Sequence, residues 1–140
     1  MLIGIGTDIV SVARIERLYA RWGARFLNRV YTLAEQAYCA QKAAKMLHLA
    51  GRFAGKEAVL KALGTGRVGA GFREIEILND AHGRPYVLLR GRAAAAAELR
   101  GVRRLHLSIA HEGGAAVAFA VAEGGGAFFA PGYGPGDAGD

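Results

Sequence analysis

The chain offers little cysteine and few acids. Cys39 is its single cysteine, which excludes an intramolecular disulfide and a cysteine-based zinc site. A free buried thiol in a reducing compartment is what remains. No apolar run approaches the roughly 20 residues that cross a bilayer. The start, Met1-Leu-Ile-Gly-Ile-Gly-Thr-Asp8, has no basic segment and reaches an acid too early for a signal peptide. A soluble cytoplasmic protein without a membrane partner is the expectation. Gly4 and Gly6 do not complete a phosphate loop or a dinucleotide fingerprint, because no phosphate lysine or third glycine follows at the right spacing. They are expected to permit close packing instead. Twelve Asp and Glu against 18 Lys and Arg leave a formal charge of +6. That balance favours an acidic partner, whether protein, polyphosphate or nucleic acid.

What is present suffices for one globular domain: 140 residues, 52% of them apolar. Leu2 to Val10 reads as a buried strand ending near Asp8. Ser11 caps a helix to about Gly23, with Val12, Ile15, Leu18, Tyr19 and Trp22 on its apolar face. Thr32 and Glu35 stand in capping-box spacing at the start of another helix. A longer helix is expected from about Gln41 to Leu63. It stops at Gly64-Thr65-Gly66, with Gly69 and Gly71 beyond. Phe72 to Asn79 alternates as a half-buried strand, Ile75 and Ile77 facing in, Glu74 and Glu76 facing out. After the turn around Gly83, Tyr86 to Leu89 is its hairpin partner. A short Ala-rich helix, Gly91 to Arg100, precedes two strands, Val102 to His111 and Ala115 to Glu123, joined through Gly113-Gly114. The glycine- and proline-rich stretch from Gly124 to Asp140 is expected to be a flexible tail outside a domain of residues 1–123. The order implies an α+β fold, with a mostly antiparallel sheet and helices on one side.

The helix Ala50 to Leu63 carries the clearest chemical signal. It sets Arg52, Lys56, Glu57 and Lys61 among small and apolar residues. Glu57 and Lys61 are neighbours on one face. A helical wheel puts Glu57 about 40° from Phe53, at the edge of the buried side. A surface ion pair explains the two residues as well as a ligand does. Asp8 reads equally as a strand terminator. Together with Glu57 it would form an oxygen-rich pair suited to Mg²⁺ bound through carboxylates and phosphates. His111 ends a period-two strand, as a structural histidine or a phosphate contact. Arg14, Arg17 and Arg21 form a basic stripe that could receive an acidic protein helix or a nucleic acid backbone. The absence of exposed aromatics between them weakens the single-stranded nucleic acid version. Lys56 has no evident role.

Several motifs then converge. Ile3-Gly-Ile-Gly-Thr-Asp-Ile-Val10 with Arg14-Ile-Glu16, Arg52-Phe-Ala-Gly-Lys-Glu-Ala-Val-Leu-Lys-Ala-Leu-Gly-Thr-Gly66, and His106-Leu-Ser-Ile-Ala-His-Glu112 resemble bacterial holo-[acyl-carrier-protein] synthases. Phe26-Leu-Asn-Arg29, Thr32, Glu35, Asn79 and Gly83-Arg-Pro85 fit the same pattern, which spans residues 1 to about 123. The resemblance implies the 4′-phosphopantetheinyl transferase fold. It also implies transfer of 4′-phosphopantetheine from coenzyme A to a serine of an acidic apo acyl carrier protein. It implies a homotrimer with sites between subunits and no nucleic acid partner. Carried over by position, Asp8 and Glu57 would hold Mg²⁺ or Mn²⁺. Glu57 and Lys61 would be catalytic. Arg52, Lys61, Gly83, Arg84, Pro85 and His111 would bind coenzyme A, and Arg14 and Arg21 would dock the carrier protein. Gly55 and Ala110 depart from the pattern, which more often has alanine and serine there. Two other classes compete. A nonenzymatic nucleic acid module would explain the charge but not Asp8, Glu57 and Lys61. A metal-dependent nucleotide pyrophosphatase would use the same acids with water replacing the serine.

Overall fold

The computed structural model describes residues 1–64 and 71–125. Thr65, Gly66 and Gly69 of the expected helix stop, and all but the first two residues of the expected tail, lie outside the described residues. The chain runs β1 (Leu2–Ser11), α1 (Val12–Trp22), α2 (Ala24–Val30), α3 (Leu33–Ala40) and α4 (Lys45–Leu63). A 3₁₀ turn (Phe72–Glu74) leads into β2 (Ile75–Asn79) and β3 (Pro85–Leu89), followed by α5 (Gly91–Leu99), β4 (Val102–Glu112) and β5 (Ala115–Gly124). The strands form two antiparallel sheets rather than one, β1-β5-β4 and the hairpin β2-β3. Among the described residues no helix is long and apolar enough to cross a membrane.

The local signals explain most boundaries. Ser11 accepts a hydrogen bond from the Arg14 amide at 3.0 Å and starts α1. Thr32 and Glu35 form the reciprocal capping box of α3. Gly64 closes α4 in the left-handed conformation. Gly113 and Gly114 both have positive φ, 52° and 83°, which a two-residue type I′ hairpin between β4 and β5 requires. Two boundaries differ from expectation. Helix α4 begins at Lys45, because residues 41–44 form turns. Strand β2 begins at Ile75, because the 3₁₀ turn occupies Phe72–Glu74. Helix α2 was not legible in the sequence: seven residues are too few to show a period.

Packing centres on α4, which lies against β1 and β5. Two devices bring it close. Ala116, Ala118, Ala120 and Ala122 of β5 all point inward and are buried. Gly4 and Gly6 of β1 sit directly on the α4 backbone. A Cβ on Gly4 would stand 2.0 Å from the Ala62 carbonyl oxygen, and one on Gly6 would stand 2.0 Å from that of Ala58. Two strand residues advance about 6.7 Å and four helix residues about 6 Å, so glycines two apart match alanines four apart. Gly55, the unexpected glycine of α4, also makes room: a Cβ there would meet Ile77 Cδ1 at 2.6 Å.

Lys56 now has a role. Its side chain and that of Glu35 are both 0% exposed, with Nζ 2.8 Å from Glu35 Oε1. The ammonium also donates to the carbonyls of Phe72 and Ile75, at 3.0 and 2.5 Å. Glu35 Oε2 accepts from the Ile77 amide at 2.7 Å. Burial pulls the Lys56 pKa down, opposed by the Glu35 charge and hydrogen bond. This pair ties α3, α4 and β2 together. Glu76, expected to face solvent, is buried too, holding Thr32 Oγ1 at 2.6 Å and Arg90 at 2.8 Å. Burial raises its carboxyl pKa, but those two bonds together with the charges of Arg90 and Lys56 outweigh it and leave it lowered.

Candidate active site

From Leu49 to Leu63, thirteen of fifteen α4 residues are buried, and the two that are not are Glu57 and Lys61. The helix buries more than the single face its wheel suggests. In this stretch the two side chains outside the buried set are this i,i+4 pair. Strand β1 runs past the opening. Its inward positions alternate Gly4, Gly6, Asp8, Val10, and Gly6 already touches Ala58 and Lys61. Lys61 Nζ donates to the Thr7 carbonyl at 2.8 Å and to Asp8 Oδ1 at 3.3 Å. The close glycine contact therefore delivers the Asp8 carboxylate to the open face of α4. No group of three or more His, Cys, Asp or Glu side chains that could hold a metal ion occurs among the described residues. A cation here would take two hard carboxylate donors from the protein and the rest from water and substrate oxygens, which suits Mg²⁺ or Mn²⁺ rather than a closed zinc cage.

A second cluster forms a cleft of about 180 Å³ that includes Tyr38, His48, Arg52, Asn79, Gly83, Pro85 and His111. The Arg52 side chain is only 4% exposed. Its guanidinium lies over the Tyr38 ring at 4.4 Å and donates from Nη2 to Asn79 Oδ1 at 2.6 Å. His48 stands edge-on between Tyr38 and His111, with ring centroids 6.1 and 6.2 Å away. Burial, then the charges of Arg52 and His111, hold the His48 imidazole below its ordinary pKa. Such a cleft, with the Arg52 cation and the rings of Tyr38, His48 and His111 on one side and the Gly83–Pro85 turn on the other, suits a phosphorylated aromatic ligand. Arg84 departs from this group: it is exposed and faces Asp80 across 3.6 Å.

The two clusters do not meet within one chain. Arg52 and Lys61 are nine residues apart, which is about 180° around the helix and about 13 Å along it. The carboxylate–lysine face and the Arg52 cleft open on opposite sides of α4.

Helix α1 presents a third surface. Arg14 lies over the Phe53 ring at 5.1 Å. Trp22, placed by its spacing on the apolar face, is 43% exposed, with Arg21 and Arg25 over its ring at 5.0 and 5.5 Å. One exposed aromatic, Trp22, thus stands at the end of the arginine row, while Phe53 beneath Arg14 is buried. Helix α2 causes this: it turns away at Gly23 and leaves a hollow of about 320 Å³ lined by Leu18, Trp22, Arg25, Phe26 and Arg29.

A family model described as the 4′-phosphopantetheinyl transferase superfamily matches residues 4–120. The chain belongs to this superfamily. It is 48% identical over 123 residues to a holo-[acyl-carrier-protein] synthase of Halothermothrix orenii, covering 88% of this chain and 98% of that one. The crystal structure of the Neisseria meningitidis holo-[acyl-carrier-protein] synthase superposes with a TM-score of 0.81 at 42% identity, covering 88% of this chain and 99% of the other. The Helicobacter pylori enzyme, solved in complex with coenzyme A, gives a TM-score of 0.76 at 34% identity, with 85% and 99% coverage.

In this superfamily member two residues of the cleft, Tyr38 and His48, do not stand out in the sequence. His48 stands four residues before Arg52, so the i,i+4 rule could have paired them on one face. No local signal reaches Tyr38, which joins the cleft only because α3 packs on α4.

Proposed function

We propose that this protein transfers 4′-phosphopantetheine from coenzyme A to a serine of an acidic apo acyl carrier protein, releasing adenosine 3′,5′-bisphosphate, in cytoplasmic fatty acid synthesis. The observation that carries the reading is helix α4, buried from Leu49 to Leu63 except at Glu57 and Lys61, with Asp8 brought alongside by Gly4 and Gly6. Residues 1–123 are the proposed catalytic unit.

The serine Oγ attacks the phosphorus that bears the pantetheine arm. The new Ser–O–P bond forms as the bond from that phosphorus to the bridging oxygen breaks, and the bridging oxygen leaves on the adenosine 5′-phosphate. Lys61 stabilises charge on that oxygen. The serine proton passes to the Glu57 carboxylate, directly or through a water. Asp8 and Glu57 would hold a divalent cation, which supplies Lewis acidity toward the pyrophosphate. Arg52, His111 and the Gly83–Pro85 wall, with Arg84 at its rim, grip the adenosine bisphosphate end. Arg14 and Arg21 receive the acidic carrier protein, so association slows as salt rises.

A homotrimer with shared sites supplies what one chain lacks. The outer face of the three-stranded sheet carries Ile5, Ile9, Val117 and Phe119, at 60%, 68%, 38% and 48% exposed. Registers Ile9↔Val117↔Ala110 and Thr7↔Phe119↔Ser108 align them into one patch across three strands. A patch of this kind marks an interface. Self-association there would set the Arg52 cleft of one copy against the Lys61 face of the next.

The test is incubation of the chain with coenzyme A, Mg²⁺ and apo acyl carrier protein. A gain of about 340 Da on the carrier, the mass of the transferred group, is expected. Coenzyme A cleavage without carrier protein would instead show a pyrophosphatase.

A further inference from the structure

Asn79 ends β2 and faces two candidate ligand groups at once. Its Oδ1 accepts from Arg52 Nη2 at 2.6 Å, and its Nδ2 donates to the Gly83 carbonyl at 3.0 Å. We infer that Asn79 is the positioning residue of the phosphate-binding cleft, a single amide that aims the Arg52 guanidinium and fixes the turn that forms the opposite wall. The inference rests on the reading of this cleft as the adenosine bisphosphate site.

The geometry supports it from three sides. Tyr38 holds the guanidinium face at 4.4 Å, and the Arg52 Nε, buried, has no partner among the described residues. The in-plane direction of the group is therefore set by Asn79. Its other bonds run within the turn: the Gly83 amide donates to the Asp80 carbonyl and the Asp80 amide to the Arg84 carbonyl, both at 2.9 Å, and Asp80 Oδ1 accepts from the His82 and Arg84 amides at 2.8 and 2.9 Å. The Asn79–Gly83 bond is the link that joins it to the cleft. The two bonds also need opposite polarity. An amide supplies an acceptor and a donor in one plane. A carboxylate would neutralise Arg52 and turn an oxygen toward the Gly83 carbonyl. A neutral acceptor leaves the Arg52 charge available to an anion.

Asn79→Asp is nearly isosteric and isolates this polarity. The expected result is a rise of about tenfold in KM for coenzyme A and in Kd for adenosine 3′,5′-bisphosphate, with kcat at saturating coenzyme A and KM for carrier protein within about twofold of wild type. A merely structural role would lower the melting temperature and move kcat and both KM values together. That outcome, or a wild-type KM, overturns the inference. Should Asn79→Asp fail to fold, Asn79→Ser takes its place in the adenosine 3′,5′-bisphosphate titration: a weaker Kd supports the inference and a wild-type Kd overturns it. If wild type itself binds no coenzyme A, the transferase reading falls. The clip is then judged by the Arg52 guanidinium NMR signals, expected to be slow-exchanging in wild type and averaged in Asn79→Ser; equal signals in both refute it.

Discussion

Replacing Gly6 with alanine tests whether backbone contact, rather than side-chain packing, builds the active face. The new Cβ would stand 2.0 Å from the Ala58 carbonyl oxygen and 2.8 Å from both the Ala62 amide nitrogen and Lys61 Cβ. Ordinary contact begins near 3.4 Å, so β1 and α4 must part by more than 1 Å. Overpacking of this kind costs about 1–3 kcal/mol, and the upper end applies because two of the three opposing atoms are main chain. For a domain of this size that lowers the melting temperature by roughly 5–15 °C. The same displacement carries Asp8 away from Lys61, and a shift of about 1 Å at reacting groups costs on the order of 100-fold in rate. Thermal unfolding by circular dichroism and transfer kinetics at saturating coenzyme A measure the two effects separately. Gly71→Ala is the control, since a Cβ there meets nothing within 4 Å. Adding Ala58→Gly should not rescue Gly6→Ala, because the obstructing oxygen belongs to the backbone. A Gly6→Ala protein with wild-type melting and rate, or one rescued by Ala58→Gly, refutes the reasoning.

Glu57→Gln should still unfold as a cooperative folded protein in thermal circular dichroism, while abolishing carrier modification by mass spectrometry; retained transfer would remove Glu57 from the mechanism. Lys56→Met leaves Glu35 charged and unpaired in the core and should cost about 3–5 kcal/mol by urea unfolding. Because the folded-state pKa of His48 is lowered, its neutral form favours the folded state above the unfolded value of about 6.5. Stability should therefore fall as pH drops through that value, and His48→Gln should flatten the slope in melting curves from pH 7.5 to 5.5. Phe119→Asp places a charge in the outer apolar patch and should give monomers by light scattering, with transfer lost even though no residue of either cluster has changed.

The sequence displayed the fold through local rules that act over a few residues. The capping box at Thr32, the stop at Gly64 and the paired glycines before β5 each need only neighbours, and each stands where its spacing said. The candidate site residues were named by type and motif, but their grouping in space was not legible. Nothing in the chain says that Arg52 and Glu57, five residues apart, serve different openings, because that follows from the enclosure of α4. Lys56 was opaque for the same reason: its partner Glu35 also completes a capping box, so the pattern already explained the acid without the lysine. Trp22 was misplaced because α2 is too short to announce itself, and the turn at Gly23 exposes the ring.

Strand β5 shows how one alternation serves both the fold and the proposed assembly. Its inward residues are alanines, while its outward ones are Val117, Phe119 and Val121. A sheet built only to cover a core would place the large residues inside. Here large inward side chains would lift α4 off the sheet, break the contacts of Gly4 and Gly6 with its backbone, and withdraw Asp8 from Lys61. The small inner face is thus a condition of the carboxylate–lysine site. With the inner face occupied by alanine, the apolar bulk of β5 stands outside, where it gains from burial only against another molecule. In the proposed assembly a second copy would also resolve the other asymmetry, the cleft and the lysine face opening on opposite sides of α4. Loss of transfer in Phe119→Asp would join these two features, and an active Phe119→Asp monomer would separate them.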